Sequence, residues 1–347
     1  MRPLKVGLLG LGGMGLTHLN QYRRLEREGF PVKLVAVCDK DEQKLNGQFV
    51  SGNIPAASEN VDLSDYRLYR DVDAFLNEGL GFIDIVLPTQ LHDEMTIKAL
   101  NKGFHVLCEK PMAITSERAI PMLHAAQASE KKLMIAHCLR FWPEYEYLKH
   151  VVSEETYGKV LSAQFYRGGP APLWSSDNWM LDPSRSGGPL LDLHIHDVDI
   201  IHWLFGMPKQ VSALMADKAG FDVISAHYAY EDGKVVQASA DLSLPGDIPF
   251  QMTYRVHLQN ATITLDQGGL KVYETGKKPE VLDLGGDDGY YREIKYFVEA
   301  IMNEADVTTS PPEQTVDTMH IIEAARFSAE ADGAWVAPRR TIKEKEE

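Results

Sequence analysis

The stretch Lys5-Val-Gly-Leu-Leu9 runs directly into Gly10-Leu-Gly-Gly-Met-Gly15, and the helix-patterned segment Met14–Glu28 follows without a break. An apolar strand, a G-x-G-x-x-G turn and a helix in that order are what a dinucleotide pyrophosphate needs. The glycines permit a tight turn, let backbone N–H groups approach the phosphates and allow close helix–strand packing, while the helix N-terminus supplies partial positive charge. Six residues alone are a weak signal, because glycine-rich turns are common. The context makes them specific: the next strand, Lys33–Cys38, ends at Asp39, at about the 20-residue spacing expected for a carboxylate that accepts from ribose hydroxyls. The plain alternative is an ordinary βα turn and an ordinary acidic strand end, and strand, helix and acid together outweigh it. Gly10, Gly12, Gly13, Met14, Gly15, Asp39 and its neighbour Lys40 are therefore the expected dinucleotide-binding residues. Asp39 would oppose a 2′-phosphate, so NAD is expected in preference to NADP, with Lys40 softening the choice.

Outward from this stretch the alternation continues. Short helices are expected near Asp41 and over Asp71–Asn77, strands at Ile83–Leu87 and His105–Cys108, and between these a helix at Asp93–Lys102 that stops at Gly103. Strands alternating with helices over the first ~120 residues imply βαβ units and a parallel sheet. A helix at Ser116–Ser129 and a strand at Leu133–Ala136 come next. From about residue 209 the pattern changes to successive strands: Gln210–Ala216, Val223–Tyr230, Val235–Leu244, Gln251–Leu258, Ala261–Asp266 and Leu270–Glu274. Asp232-Gly233 and Gly268-Gly269 stand where hairpin turns belong, so this sheet is expected to be mostly antiparallel. Helices near Tyr290–Glu304 and Glu313–Asp332 close the chain.

Composition bounds the function. The chain has 347 residues, 44% hydrophobic and 24% charged, with 35 Lys+Arg against 50 Asp+Glu for a net charge of −15. That is the balance of a globular protein with room for two domains. Its acidity, without a basic cluster, argues against nucleic acid. No stretch approaches the ~20 apolar residues of a membrane span, and the first residues lack a small-residue cleavage site. Cys38, Cys108 and Cys138 are odd in number and scattered among apolar residues, which suggests buried thiols in a reducing, cytoplasmic setting.

Two further turns follow strands of the first half, where ligands of open α/β sheets lie. Pro88-Thr89-Gln90-Leu91-His92 should border the cofactor, as should Glu109-Lys110-Pro111; the bland readings are a capped turn and a solvated pair. With Gly10–Gly15 before them and Gly187–Asp199 after them, these segments resemble, over nearly the whole length, the Gfo/Idh/MocA family of glucose–fructose oxidoreductase and inositol dehydrogenase relatives. The resemblance implies an α/β protein with an N-terminal Rossmann dinucleotide-binding domain, expected over 1–125. A C-terminal α/β domain with an open, mostly antiparallel sheet, expected over 126–347, would bind substrate and form oligomers. It also implies hydride transfer between NAD(P) and a sugar or polyol carbinol. Lys110 would then be the lysine that reaches substrate and nicotinamide, with Pro88, Thr89, His92 and Glu109 beside the cofactor. Gly187-Gly188-Pro189-Leu190-Leu191-Asp192-Leu193-His194-Ile195-His196 matches the family's Gly-Gly…Asp-x-x-x-His element and makes Asp192 and His196 the catalytic pair.

The residues support that pair independently. If Leu190–Phe205 is one helix, Asp192, His196 and Asp199 share a face, and a histidine with a carboxylate one turn away has the make-up of a general base with its orienter. His194 stands where glycine is frequent in the family. A metal site built on His194 and His196 is not expected, because residues two apart on a helix point away from each other; His194 would instead narrow the substrate pocket or fill the core. Leu139-Arg140-Phe141-Trp142-Pro143 resembles the family's strand-to-helix turn at the pocket edge, which makes Arg140 a candidate for substrate contact; Trp174 and Asn178 are further candidates, aromatic and polar as sugar sites are. In the expected reaction His196 takes the hydroxyl proton, Lys110 stabilises the alkoxide and Asp192 holds the imidazole. Two rivals stay open: an enzyme that keeps its NAD and cleaves glycosides through transient oxidation, and a non-catalytic dinucleotide sensor. The second sheet should leave one apolar face uncovered and pair with a second copy, giving a homodimer or homotetramer.

Overall fold

The computed structural model describes residues 2–48, 61–173, 175–218 and 221–339. In chain order the elements are β1 (Leu4–Leu9), α1 (Gly13–Arg27), β2 (Val32–Cys38), α2 (Glu42–Leu45), β3 (Arg67–Tyr69), α3 (Val72–Phe75), β4 (Phe82–Ile85), α4 (His92–Asn101), β5 (His105–Glu109), α5 (Ser116–Ser129) and β6 (Leu133–Ala136). Then come α6 (Pro143–Ser153), β7 (Val160–Gly168), α7 (Pro183–Ser186), α8 (Gly188–Asp192), α9 (Ile195–Phe205), β8 (Gln210–Lys218), β9 (Phe221–Ala229), β10 (Val235–Asp241), β11 (Gln251–Leu258), β12 (Ala261–Asp266), β13 (Gly269–Glu274), β14 (Glu280–Leu282), α10 (Gly289–Met302) and α11 (Pro312–Glu330).

The chain forms two compact units. The first holds Met1–Cys138, Leu173–Trp179 and Asp288–Pro312, so α10 returns to it. Its sheet runs β3-β2-β1-β4-β5-β6, with every pair parallel. This is the doubly wound order whose direction reverses between β1 and β4, and ligands bind at the carboxyl ends of the strands there. Strands covered on both faces read as unbroken apolar runs; β4 and β6 are buried at every position. Side-chain caps start the helices: Thr115 accepts from Arg118 N at α5 and Asp288 from Tyr291 N at α10, each worth about 1 kcal/mol. The unit runs past residue 125 because β6 pairs with β5.

The second unit holds Leu139–Pro172, Met180–Asp287 and Glu313–Glu347. Its sheet has the order β14-β13-β12-β11-β7-β10-β9-β8. Two antiparallel runs, β8–β10 and β11–β14, flank β7, which pairs parallel with β10 and antiparallel with β11. One face is buried, through Ala163 and Phe165 of β7, Val236, Ala238 and Ala240 of β10, and Val211 and Ala213 of β8. The other face is mixed where an apolar one was expected: Gln164, Ser225, His227 and Arg255 are exposed there together with the apolar Leu214, Val235, Tyr273 and Val281. Helix α5 belongs to the first unit.

Candidate active site

In the first unit the glycines of the first turn divide into two kinds. Gly10 has φ +104°, and a Cβ there would meet the Val86 carbonyl oxygen at 2.2 Å. A Cβ on Gly15 would meet the Gly10 carbonyl oxygen at 2.3 Å. These two are small because the fold requires it. Gly12 and Gly13 have nothing within 4 Å of a Cβ, so their smallness serves open space in front of the helix. Helix α1 begins there with no side-chain cap and no acid in its first turn. The N–H groups of that turn have no partner within the helix and face space that an anion can fill. The loop fits a pyrophosphate.

At the end of β2, Asp39 is buried and accepts from Leu11 N at 2.7 Å and Asp41 N at 2.8 Å. The carboxylate thus braces the glycine loop and keeps lone pairs for a ribose. Lys40 points to solvent, and the cation that approaches Asp39 is Lys44, at 3.7 Å. After β4, Pro88 is half-buried and Thr89 is buried with no hydrogen-bond partner for Oγ1 among the described residues. This leaves the Thr89 hydroxyl available to a polar ligand group. His92, expected at the cofactor, turns inward instead. Its Nδ1 lies 2.7 Å from the Pro111 carbonyl oxygen and its Nε2 2.7 Å from that of Leu87, so it ties together the turns that follow β4 and β5. Glu109 is also buried, with Oε2 accepting from Lys110 N at 3.0 Å and Oε1 3.2 Å from His18 Nε2. Lys110 itself is half-buried.

In the second unit the expected single helix over 190–205 is broken into α8 and α9. Leu193 N and His194 N both bond to the Pro189 carbonyl oxygen, and the regular ladder restarts at His194. Along Gly188–His202 every residue is buried except Asp192 and His196, which are half-buried. The remaining polar residues of the stretch are engaged in the core. Asp199 accepts two bonds of 2.8 Å from Arg140 and one of 3.2 Å from Thr318. Asp197 accepts from Arg167 at 3.0 Å, and His202 bonds Thr318 Oγ1. Asp199 is therefore not part of an open polar stripe.

Other expectations are corrected in the same way. Arg140 is fully buried, with its guanidinium on Asp199 and Gln314, so it organises the core and is not presented to substrate. His194 is also fully buried, with Nε2 2.9 Å from Tyr228 Oη; burial and the nearby Arg167 cation pull its pKa down to about 3. It fills the core, one of the two roles expected of it. Asn178 is exposed in a left-handed conformation beside Asp177, also left-handed. Trp174 lies outside the described residues. Sequence reasoning missed His18, Tyr22, Asp84 and Glu293, which gather beneath the first unit's site. On the sequence they read as helix and strand interior, and only the fold brings them together.

The description "Oxidoreductase family, NAD-binding Rossmann fold" of the Gfo/Idh/MocA group matches residues 4–137, and the group's C-terminal domain matches residues 145–264. The first unit thus carries an NAD-binding Rossmann fold. Among curated relatives, a 2,7-anhydro-N-acetylneuraminate hydratase of Mediterraneibacter gnavus is 28% identical over 61% of this chain and 52% of its own. D-xylose 1-dehydrogenase (NADP(+)) 2 of Haloferax volcanii is 26% identical over 94% of this chain and 98% of its own. The chain spans about half the length of the first relatives it matches. A solved levoglucosan dehydrogenase, in complex with NADH and levoglucosan, superposes with a TM-score of 0.83 at 21% identity, covering 98% of this chain and all of the other. No helix among the described residues is long and apolar enough to cross a membrane.

Proposed function

The chain belongs to the Gfo/Idh/MocA family of oxidoreductases, and on that premise we propose that it transfers hydride reversibly between NAD and a secondary alcohol of a sugar, polyol or sugar derivative. The observation that carries this reading is the exposure pattern of α8 and α9, in which Asp192 and His196 alone keep access between Gly188 and His202. A histidine and a carboxylate left open on an otherwise buried stretch have the chemistry of a base with its orienter. NAD, when bound, supplies the hydride acceptor. His196 takes the hydroxyl proton, and Asp192 holds the imidazole in the tautomer that can accept it and stabilises the imidazolium. Lys110 supplies the positive charge that stabilises the developing alkoxide. The second unit is proposed to bind the substrate and to carry the surface through which copies pair. The buried cysteines, none of them in a disulfide among the described residues, suit a reducing, cytoplasmic location; burial pushes the Cys38 thiol up to about 12.

A sugar substrate is supported by the relative named D-xylose 1-dehydrogenase. The relative named a hydratase favours a second reading, since hydration is redox-neutral overall: the chain would keep its NAD and use transient oxidation. A panel of inositols, aldoses and sugar acids, each with NAD and with NADP and followed at the NADH absorbance band, tests the first reading. Net NADH from at least one of them is expected; none from any would refute it.

A further inference from the structure

Beneath the glycine loop the first unit buries an ionic cluster that the reaction above does not use. His18 of α1 lies between two carboxylates, with Nδ1 2.8 Å from Asp84 Oδ2 of β4 and Nε2 3.2 Å from Glu109 Oε1 of β5. Tyr22, one turn along α1, donates to the same Asp84 oxygen at 2.8 Å. Glu293 of α10 completes the group, with no hydrogen-bond partner for either carboxylate oxygen among the described residues. His18, Asp84 and Glu293 are fully buried and Glu109 nearly so.

Three carboxyl groups and one imidazole in a dry interior cannot all ionise without a large cost. The geometry shows which forms are favoured. Each ring nitrogen of His18 faces a carboxylate oxygen, which only a doubly protonated imidazole satisfies on both sides. Glu293, facing Glu109, Asp84 and Asp288 with His18 as the opposing cation, is the group that gives up its charge: burial and those carboxylates hold its pKa well above the usual range. Burial alone would lower the pKa of His18, but Asp84 and Glu109 more than reverse it. His18, Lys110 and His92 together hold Glu109 ionised against its burial.

We propose that His18 is a positioning residue for Lys110. Anchored on Asp84, its cation clamps one oxygen of Glu109, and the other oxygen receives the Lys110 backbone N–H at 3.0 Å. The clamp fixes how the chain leaves β5 and hence where the Lys110 side chain starts. The effect on rate rests on the function proposed above; the effect on the Lys110 amide does not. A divalent cation on His18, Glu109 and Glu293, whose donor atoms lie within 4.8 Å of one another, would relieve the same charge. However, these three donors fall short of the four that a structural zinc takes, and His18 Nε2 is already on Glu109.

The test pairs His18→Asn, which keeps a donor near the Nδ1 position, with His18→Gln, which keeps one near Nε2, in the full chain with NAD present. His18→Asn is expected to speed hydrogen exchange at the Lys110 amide and to lower kcat by on the order of 10²-fold, the scale of a small misplacement. NAD affinity should stay within about twofold, and His18→Gln should retain most of both properties. In a Lys110→Ala background His18→Asn should lower kcat no further, because both changes act through one group. Unchanged Lys110 exchange, equal damage from both variants, or an undiminished effect on kcat in the Lys110→Ala background would overturn the proposal. So would one equivalent of a divalent metal in the purified protein by elemental analysis. If Lys110→Ala alone leaves kcat intact, the catalytic role of Lys110 fails, and the exchange result still decides the clamp.

Discussion

His196 and Asp192 owe their standing to what surrounds them. Asp197 and Asp199 are neutralised by buried arginines, and His194 and His202 are hydrogen-bonded in the core. A change at His196 should therefore cost activity and little stability. His196→Ala is expected to lose about 10²–10⁴-fold in kcat with NAD affinity unchanged, while Lys110→Ala should damage kcat and substrate KM together. Near-wild-type kcat in His196→Ala would return the histidine to a structural role. Cofactor choice is also a single-residue matter. Asp39 presents a buried carboxylate where the ribose is expected, so kcat/KM should favour NAD over NADP by about tenfold or more, on the scale of one close like-charge contact. Lys44, 3.7 Å from Asp39, moderates the repulsion in place of Lys40. Measured kcat/KM values that favour NADP in the wild type would contradict the assignment.

Among the elements, the first sheet was legible because parallel strands buried on both faces leave continuous apolar runs, and α5, β6, β11 and β12 fall where periodicity places them. Strand β7 was not. Its sequence, Val-Leu-Ser-Ala-Gln-Phe-Tyr-Arg-Gly, mixes polarity because one face is open and Arg167 on the other is buried against Asp197 and Tyr145. The break between α8 and α9 was equally hidden. No glycine or proline marks it at Leu193, and it arises where two amides share the Pro189 carbonyl. Arg140 looked like a pocket residue because its segment resembles the family's strand-to-helix turn at the pocket edge, and its partner Asp199 is distant in sequence. The junction carries a pH signature. The folded pKa of His194, about 3, lies below its ordinary value of 6.5, so the unfolded chain takes up the proton first as pH falls. The stability contribution is therefore complete above pH 6.5 and is lost between there and about pH 3, by at most about 1.4 kcal/mol per pH unit. Urea unfolding at pH 7 and pH 5 should show His194→Gln losing less stability on acidification than the wild type. Equal losses would contradict the buried neutral imidazole.

At the scale of the whole molecule, the second unit's sheet is covered on one face and open on the other. The open face combines Gln164, Ser225, His227 and Arg255 with the exposed Leu214, Val235, Tyr273 and Val281, a mixed polar and apolar surface of the kind that subunit interfaces use. Self-complementary pairing of two such faces gives a closed dimer, and two dimers give a tetramer. Light scattering at micromolar concentration should return two or four times the chain mass of 38.8 kDa; the single mass would refute assembly. Hydride transfer as proposed leaves a net change in the cofactor, which a labelled substrate can follow. The best alcohol from the substrate panel, carrying deuterium at the carbinol carbon, is turned over many times with excess NAD, and product and reduced cofactor are both counted. One NADH bearing deuterium at nicotinamide C4 is expected for every carbonyl formed. Product accumulating without net NADH, or NADH without the label, would contradict the account.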